Sequence, residues 1–105
     1  MAAINQGVAP ANTNVATIYT VPANRQAALV CNITALLACK VRMAVGSGAS
    51  PAATDWIEYD LPLGVGGTVE RTALVLKAGD KVFVRTDTAN AIAARVWGVE
   101  EAAGS

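Results

Sequence analysis

The chain has 105 residues, with 53% hydrophobic, 15% charged and 5% aromatic residues, and its 8 Lys plus Arg balance 8 Asp plus Glu to zero net charge. That length supports one domain with one core, and scattered cations with no net positive charge exclude the electrostatic footprint of a nucleic-acid binder. The absence of His removes the commonest general base and metal ligand, so no Ser-His-Asp or Cys-His arrangement can be built from this chain.

Residues 1–14 are Ala, Asn, Gln, Gly, Pro and Thr around a few aliphatics. They read as a flexible N-terminal arm that orders on a neighbour, or equally as a short edge strand anchored by Ile4 and Val8. The opening residues lack the positive region of a signal peptide, and no apolar run reaches the ~18 residues of a membrane span.

A β-sandwich domain is expected over 15–100. Val15 to Val21 forms its first strand and stops at the turn residues Pro22-Ala23-Asn24. From Gln26 to Thr34, strand alternation puts Ala27, Leu29, Cys31 and Ile33 on a core face and Ala28, Val30, Asn32 and Thr34 on the other. Ala35-Leu36-Leu37-Ala38 reads as a helical turn, a wide hairpin loop or a bulge. Cys39, Val41, Met43 and Val45 then alternate with outward Lys40, Arg42 and Ala44. Cys31 and Cys39 sit on consecutive strands and could face each other across a hairpin. Both are expected to be reduced, largely buried core residues.

Gly46 to Thr54 is a flexible loop by composition, either a contact surface or a connector. In the strand Trp56 to Leu61, Ile57, Tyr59 and Leu61 share one face, and Trp56, Glu58 and Asp60 the other. Glu58 and Asp60 could form a carboxylate pair, but outward carboxylates satisfied by Arg71 or Arg85 are the plainer expectation. Leu63-Gly64-Val65-Gly66-Gly67 lacks the Lys and the adjoining helix of a phosphate loop, so it reads as a bend. Further strand segments lie at Thr68 to Thr72, Leu74 to Leu76 and Lys81 to Thr86, the last two joined through Ala78-Gly79-Asp80 as a hairpin. Ala91 to Val99 closes the domain, with Ile92, Ala94 and Val96 facing the core and Arg95, Trp97 and Val99 facing away. Residues 101–105 form a polar tail.

About eight short strands and no helix predict an all-β, two-sheet antiparallel β-sandwich, jelly-roll-like. No catalytic, cofactor or metal residues are expected. A neutral, weakly charged surface tends to associate, so the expected partner is the chain itself, as a homo-oligomer, with a trimer as the first expectation. Nucleic acid and membranes are not expected partners. Trp56, Trp97, Val99 and Arg95 are the interface candidates, because tryptophans lying off the core stripe are common interface anchors.

Ile18-Tyr19-Thr20-Val21-Pro22-Ala23-Asn24-Arg25 opens a further pattern. It continues through Val30-Cys31-Asn32-Ile33-Thr34, Tyr59-Asp60-Leu61-Pro62-Leu63 and Leu76-Lys77-Ala78-Gly79-Asp80-Lys81-Val82, and closes on Val96-Trp97-Gly98-Val99-Glu100. In order and spacing this resembles small β-sandwich virion proteins of tailed bacteriophages. The resemblance implies a non-enzymatic structural protein assembled in the bacterial host cytoplasm and located in the virion. It would serve as a capsid decoration (cement) protein or as a tail, neck or fibre component, with the major capsid protein or tail proteins as partners. A carbohydrate- or receptor-binding module is the alternative on the same fold.

Overall fold

The computed structural model describes residues 1–103. It contains eight strands: β1 (Ala2–Val8), β2 (Ala16–Thr20), β3 (Arg25–Ala35), β4 (Cys39–Gly46), β5 (Trp56–Leu63), β6 (Thr68–Lys77), β7 (Lys81–Thr86) and β8 (Ile92–Ala102). No helix occurs among the described residues. Two four-stranded sheets run in the orders β1-β8-β3-β6 and β2-β7-β4-β5, and every ladder is antiparallel. Two interleaved sheets of this order form an eight-stranded jelly roll, so the expected fold class is the one the chain adopts.

The membership of the eight strands differs from the expectation. The segment expected as a flexible arm contains β1, which pairs with β8 from Ala2↔Glu100 to Val8↔Ala94. Ile4 is 6% exposed in the core, so the edge-strand alternative describes this region. Residues beyond β1 are tied to the body as well: Asn90 donates its backbone N–H to Pro10, and Arg85 Nε donates to the carbonyl of Thr13 at 2.9 Å. The two segments expected on either side of Ala73 are one strand, β6, with Ala73 at φ 56 where the pairing to β3 shifts register. A left-handed residue there adds one position without breaking the strand. β8 runs on to Ala102, into the expected tail, of which residues 104–105 lie outside the described residues.

Among the described residues, only β4 and β5 are neighbours both in sequence and in a ladder. The turn after β6 forms as its residues dictate: Gly79 sits at φ 86, and the Asp80 N–H donates to the Lys77 carbonyl at 3.0 Å. Its two legs enter opposite sheets, so it is a crossover and not the expected hairpin. β3 and β4 also lie in opposite sheets. Cys31 and Cys39 are therefore not cross-strand neighbours, and both are free. Cys31 is buried as expected, whereas Cys39, at the first position of β4, is only half-buried.

The core lies between the sheets. Leu29, Cys31, Ile33, Ile92 and Val96 project from one sheet onto Val41, Met43, Val82, Val84 and Tyr19 of the other. Each large aliphatic side chain buried there contributes roughly 1.5–3 kcal/mol. Gly98 lies tight against β3: at φ 154, a Cβ on it would collide with the Ala28 carbonyl oxygen.

β5 departs from the expected alternation. Val41 pairs with Leu61, Met43 with Glu58 and Ala44 with Trp56, so the register shifts twice along its length. Asp60 takes φ 51 at one shift. Each extra residue reverses the face on which the next part of the strand displays its side chains. Trp56, Tyr59 and Asp60 consequently meet Arg42 on the outer side, while Glu58 turns inward, 11% exposed at its side chain, onto Arg71 of the opposite sheet. The possible Glu58–Asp60 carboxylate pair does not form. Glu58 is ion-paired with Arg71, one of the two expected partners, and Asp60 with Arg42 instead.

Candidate interaction face

The two outer faces of the sandwich are built differently. On the β2-β7-β4-β5 sheet, side chains satisfy one another. The Arg42 guanidinium lies 3.8 Å from the Tyr59 ring centroid and 5.6 Å from that of Trp56, and the two rings meet edge-to-face at 5.4 Å. Arg42 also donates to both oxygens of Asp60, at 2.7 and 3.2 Å. Those hydrogen bonds hold the Asp60 carboxyl below its ordinary value and raise Arg42. Asp87 accepts the Lys40 backbone N–H at 2.8 Å, which lowers it too. Phe83 and Ala44 point outward between core residues, yet both are fully buried. The long loop reaches back over this side, where Lys81 Nζ donates to the Ser47 carbonyl. Trp56, one of the four interface candidates, is thus half-buried in an internal stack, on the opposite side of the molecule from the other three.

The β1-β8-β3-β6 sheet brings Arg95, Trp97 and Val99 together on its outer face, where alternation along β8 leaves all three exposed. Register extends them into rows across the sheet. One row is Ala3, Val99, Ala28 and Val75; the next is Asn5, Trp97 and Val30. Trp97 is 38% exposed, Val99 37% and Val75 78%. This apolar band is bounded along the strands by two polar rows. Gly7, Arg95, Asn32 and Glu70 form one, and Glu101, Gln26 and Lys77 the other. An apolar centre with a polar rim is the ordinary anatomy of a protein–protein interface.

Among the described residues, three depressions on this same face stand out. The largest, about 440 Å³, lies between Trp97, Arg95, Asn32, Thr34 and Gly7. Arg95 leans across it to Asn5, with Nη1 2.6 Å from the Asn5 side-chain oxygen. A hollow of about 200 Å³ runs along Trp97, Val30 and Ala73, over the bare backbone of Gly98. Another of about 140 Å³ lies between Val99, Ala28, Val75 and Glu101. No group of three or more His, Cys, Asp or Glu converges anywhere among the described residues. The chemistry this face offers is exclusion of water against an apolar counter-surface.

Alternation of β3 already placed Ala28 and Val30 off the core stripe, so their share of the face was readable. Val75 was not, because the bulge at Ala73 resets the alternation of β6. Comparison with protein-family models, with curated proteins and with solved structures finds no match for this chain.

Proposed function

We propose that this chain is a non-enzymatic structural subunit of a tailed-phage particle, in first place a capsid decoration (cement) protein that stabilises the shell through subunit contacts. One observation carries the assembly part of the reading: the outer face of the β1-β8-β3-β6 sheet presents Trp97, Val99, Val75, Val30 and Ala28 as a continuous apolar band. Exposed apolar patches of that kind mark protein contact surfaces. The phage part rests on the motif resemblance, and a jelly roll is compatible with it, since capsid domains use this architecture among others. Zero net charge and 15% charged residues fit a surface that ends covered.

The test is co-sedimentation with purified empty capsids and, separately, tails. The wild type is expected to bind capsids, and Trp97→Ala, which removes the central aromatic of the assembly face, to weaken assembly on the particle by about 2 kcal/mol. The variant should keep its thermal unfolding midpoint within a few degrees, because Ile92, Ala94 and Val96 on the opposite side of β8 are untouched. A wild type that ignores capsids and tails alike overturns the reading.

A further inference from the structure

We infer that the partner covering the outer face of the β1-β8-β3-β6 sheet is a second copy of this chain, docked face to face about a two-fold axis that lies in the interface and runs across the strands. This deepens the reading of that face as an assembly surface and rests on it.

The inference comes from the pattern of charges on the rim. At one end of the apolar band, β8 carries Arg95 and β6 carries Glu70. At the other end, β8 carries Glu101 and β6 carries Lys77. The signs therefore invert between the two ends on both strands. A two-fold axis passing between the Trp97 row and the Val99 row exchanges the ends. It sets Arg95 against Glu101 of the second copy and Glu70 against Lys77 of the second copy. Asn32 meets Gln26 of the second copy between them. Every rim charge then meets its opposite, and the apolar band lies against itself. An axis along the strands would instead leave each end facing its own kind of row.

Two further features fit this arrangement. Among the described residues Arg95, Glu70 and Glu101 form no ion pair within their own chain, whereas the exposed Lys77 has Asp80 at 3.6 Å; Arg95, Glu70 and Glu101 are each held only by an amide side chain of a neighbouring strand. On the other sheet's outer face, Arg42 and Asp60 already satisfy each other. Trp97 also passes over the Val99 row of the second copy, where the small side chains of Ala28 and Ala3 leave room and the hollow of about 140 Å³ lies. Isologous contact of one patch with itself is the commonest route to a soluble homo-oligomer.

Four strands about 4.8 Å apart and six residues of about 3.3 Å rise make the face roughly 19 by 20 Å. That is smaller than the ~800 Å² per partner of a standard interface, so the dimer should exchange rapidly and depend on concentration.

The test is sedimentation velocity over a concentration series of the full chain. The wild type should pass from monomer to dimer. Arg95→Glu and Glu101→Arg, both at exposed positions, should each weaken the dimer by about tenfold or more, since each places like charges against each other at two symmetry-related positions. An equimolar mixture of the two variants should recover dimer, because in the mixed pair every 95–101 contact is again of opposite sign. Unchanged far-ultraviolet circular dichroism checks the fold of each variant. A wild type that stays monomeric, assembles only as a trimer, or dimerises with no loss in the single variants overturns the inference, as does failure of the mixture to recover dimer. Capsid binding is read separately. Dimers that ignore capsids overturn the phage reading alone, and capsid binding by a strictly monomeric chain overturns the two-fold inference alone.

Discussion

Cys31 and Tyr19 are the side chains whose burial is most visible in their chemistry. Burial pushes the Cys31 thiol from 9.0 up to about 12. Burial, and then donation of its hydroxyl proton to the Glu100 carboxylate, pushes Tyr19 from 10.0 up to about 12. Both groups are neutral when protonated and both hold the proton more tightly in the folded chain. Their contribution is complete below the unfolded values and disappears as pH rises toward about 12, because there the unfolded chain releases protons that the folded one retains. Stability against urea is expected to fall from about pH 9 upward, by a few kcal/mol across the window. Cys31→Ala and Tyr19→Phe should each start from a lower plateau and decline less steeply. An equally steep decline in both variants would place the alkaline transition elsewhere.

At the scale of the strand, β5 shows what two register shifts accomplish. They turn Glu58 inward while Trp56, Tyr59 and Asp60 stay outside. Glu58 then meets Arg71 of β6, and this ion pair ties together the two edge strands that sit at the same side of the sandwich. The two partners are unequally exposed, 11% for the Glu58 side chain and 49% for Arg71. Removing the arginine strands a desolvated carboxylate, whereas removing the carboxylate releases an arginine to water. Arg71→Met should therefore destabilise the fold by about 1–3 kcal/mol, and Glu58→Gln by clearly less. Equal losses in urea titrations of the two variants would mean that Glu58 is better hydrated than its position implies.

For the whole molecule, β1 and β6 are the edges of the sheet that carries the candidate face, and β1 covers β8. Deleting residues 1–8 removes Ile4 from the core and leaves β8 with an unpaired ladder edge. The burial of Ile4 accounts for about 2–3 kcal/mol, so the unfolding midpoint should drop by on the order of 10 °C or more in a domain of this size. A bare β8 edge is also a template for pairing with other chains, so light scattering at moderate temperature should rise. A truncated protein with an unchanged midpoint would show that β1 adds nothing to the packed core.

Alternation, turn residues and composition determined that this chain is a two-sheet antiparallel sandwich. They also determined that Leu29, Cys31, Ile33, Ile92 and Val96 face inward and that Arg95, Trp97 and Val99 do not. These are local consequences of a two-residue period, written in consecutive residues. Which strands pair was decided only by the tertiary structure. The Gly79 turn forms as its residues require, yet its legs part into different sheets. A tight turn fixes the direction of the chain over a few residues, while strand partners are chosen by burial across the whole sandwich. The same holds for the faces of β5, where the bulges at Ile57 and Asp60 carry no Gly or Pro signal and reverse what simple alternation implies. It holds as well for the rows that join Trp97 to Val30 and Val99 to Val75. Those residues are far apart in the chain, and only the register of β8, β3 and β6 makes them one surface.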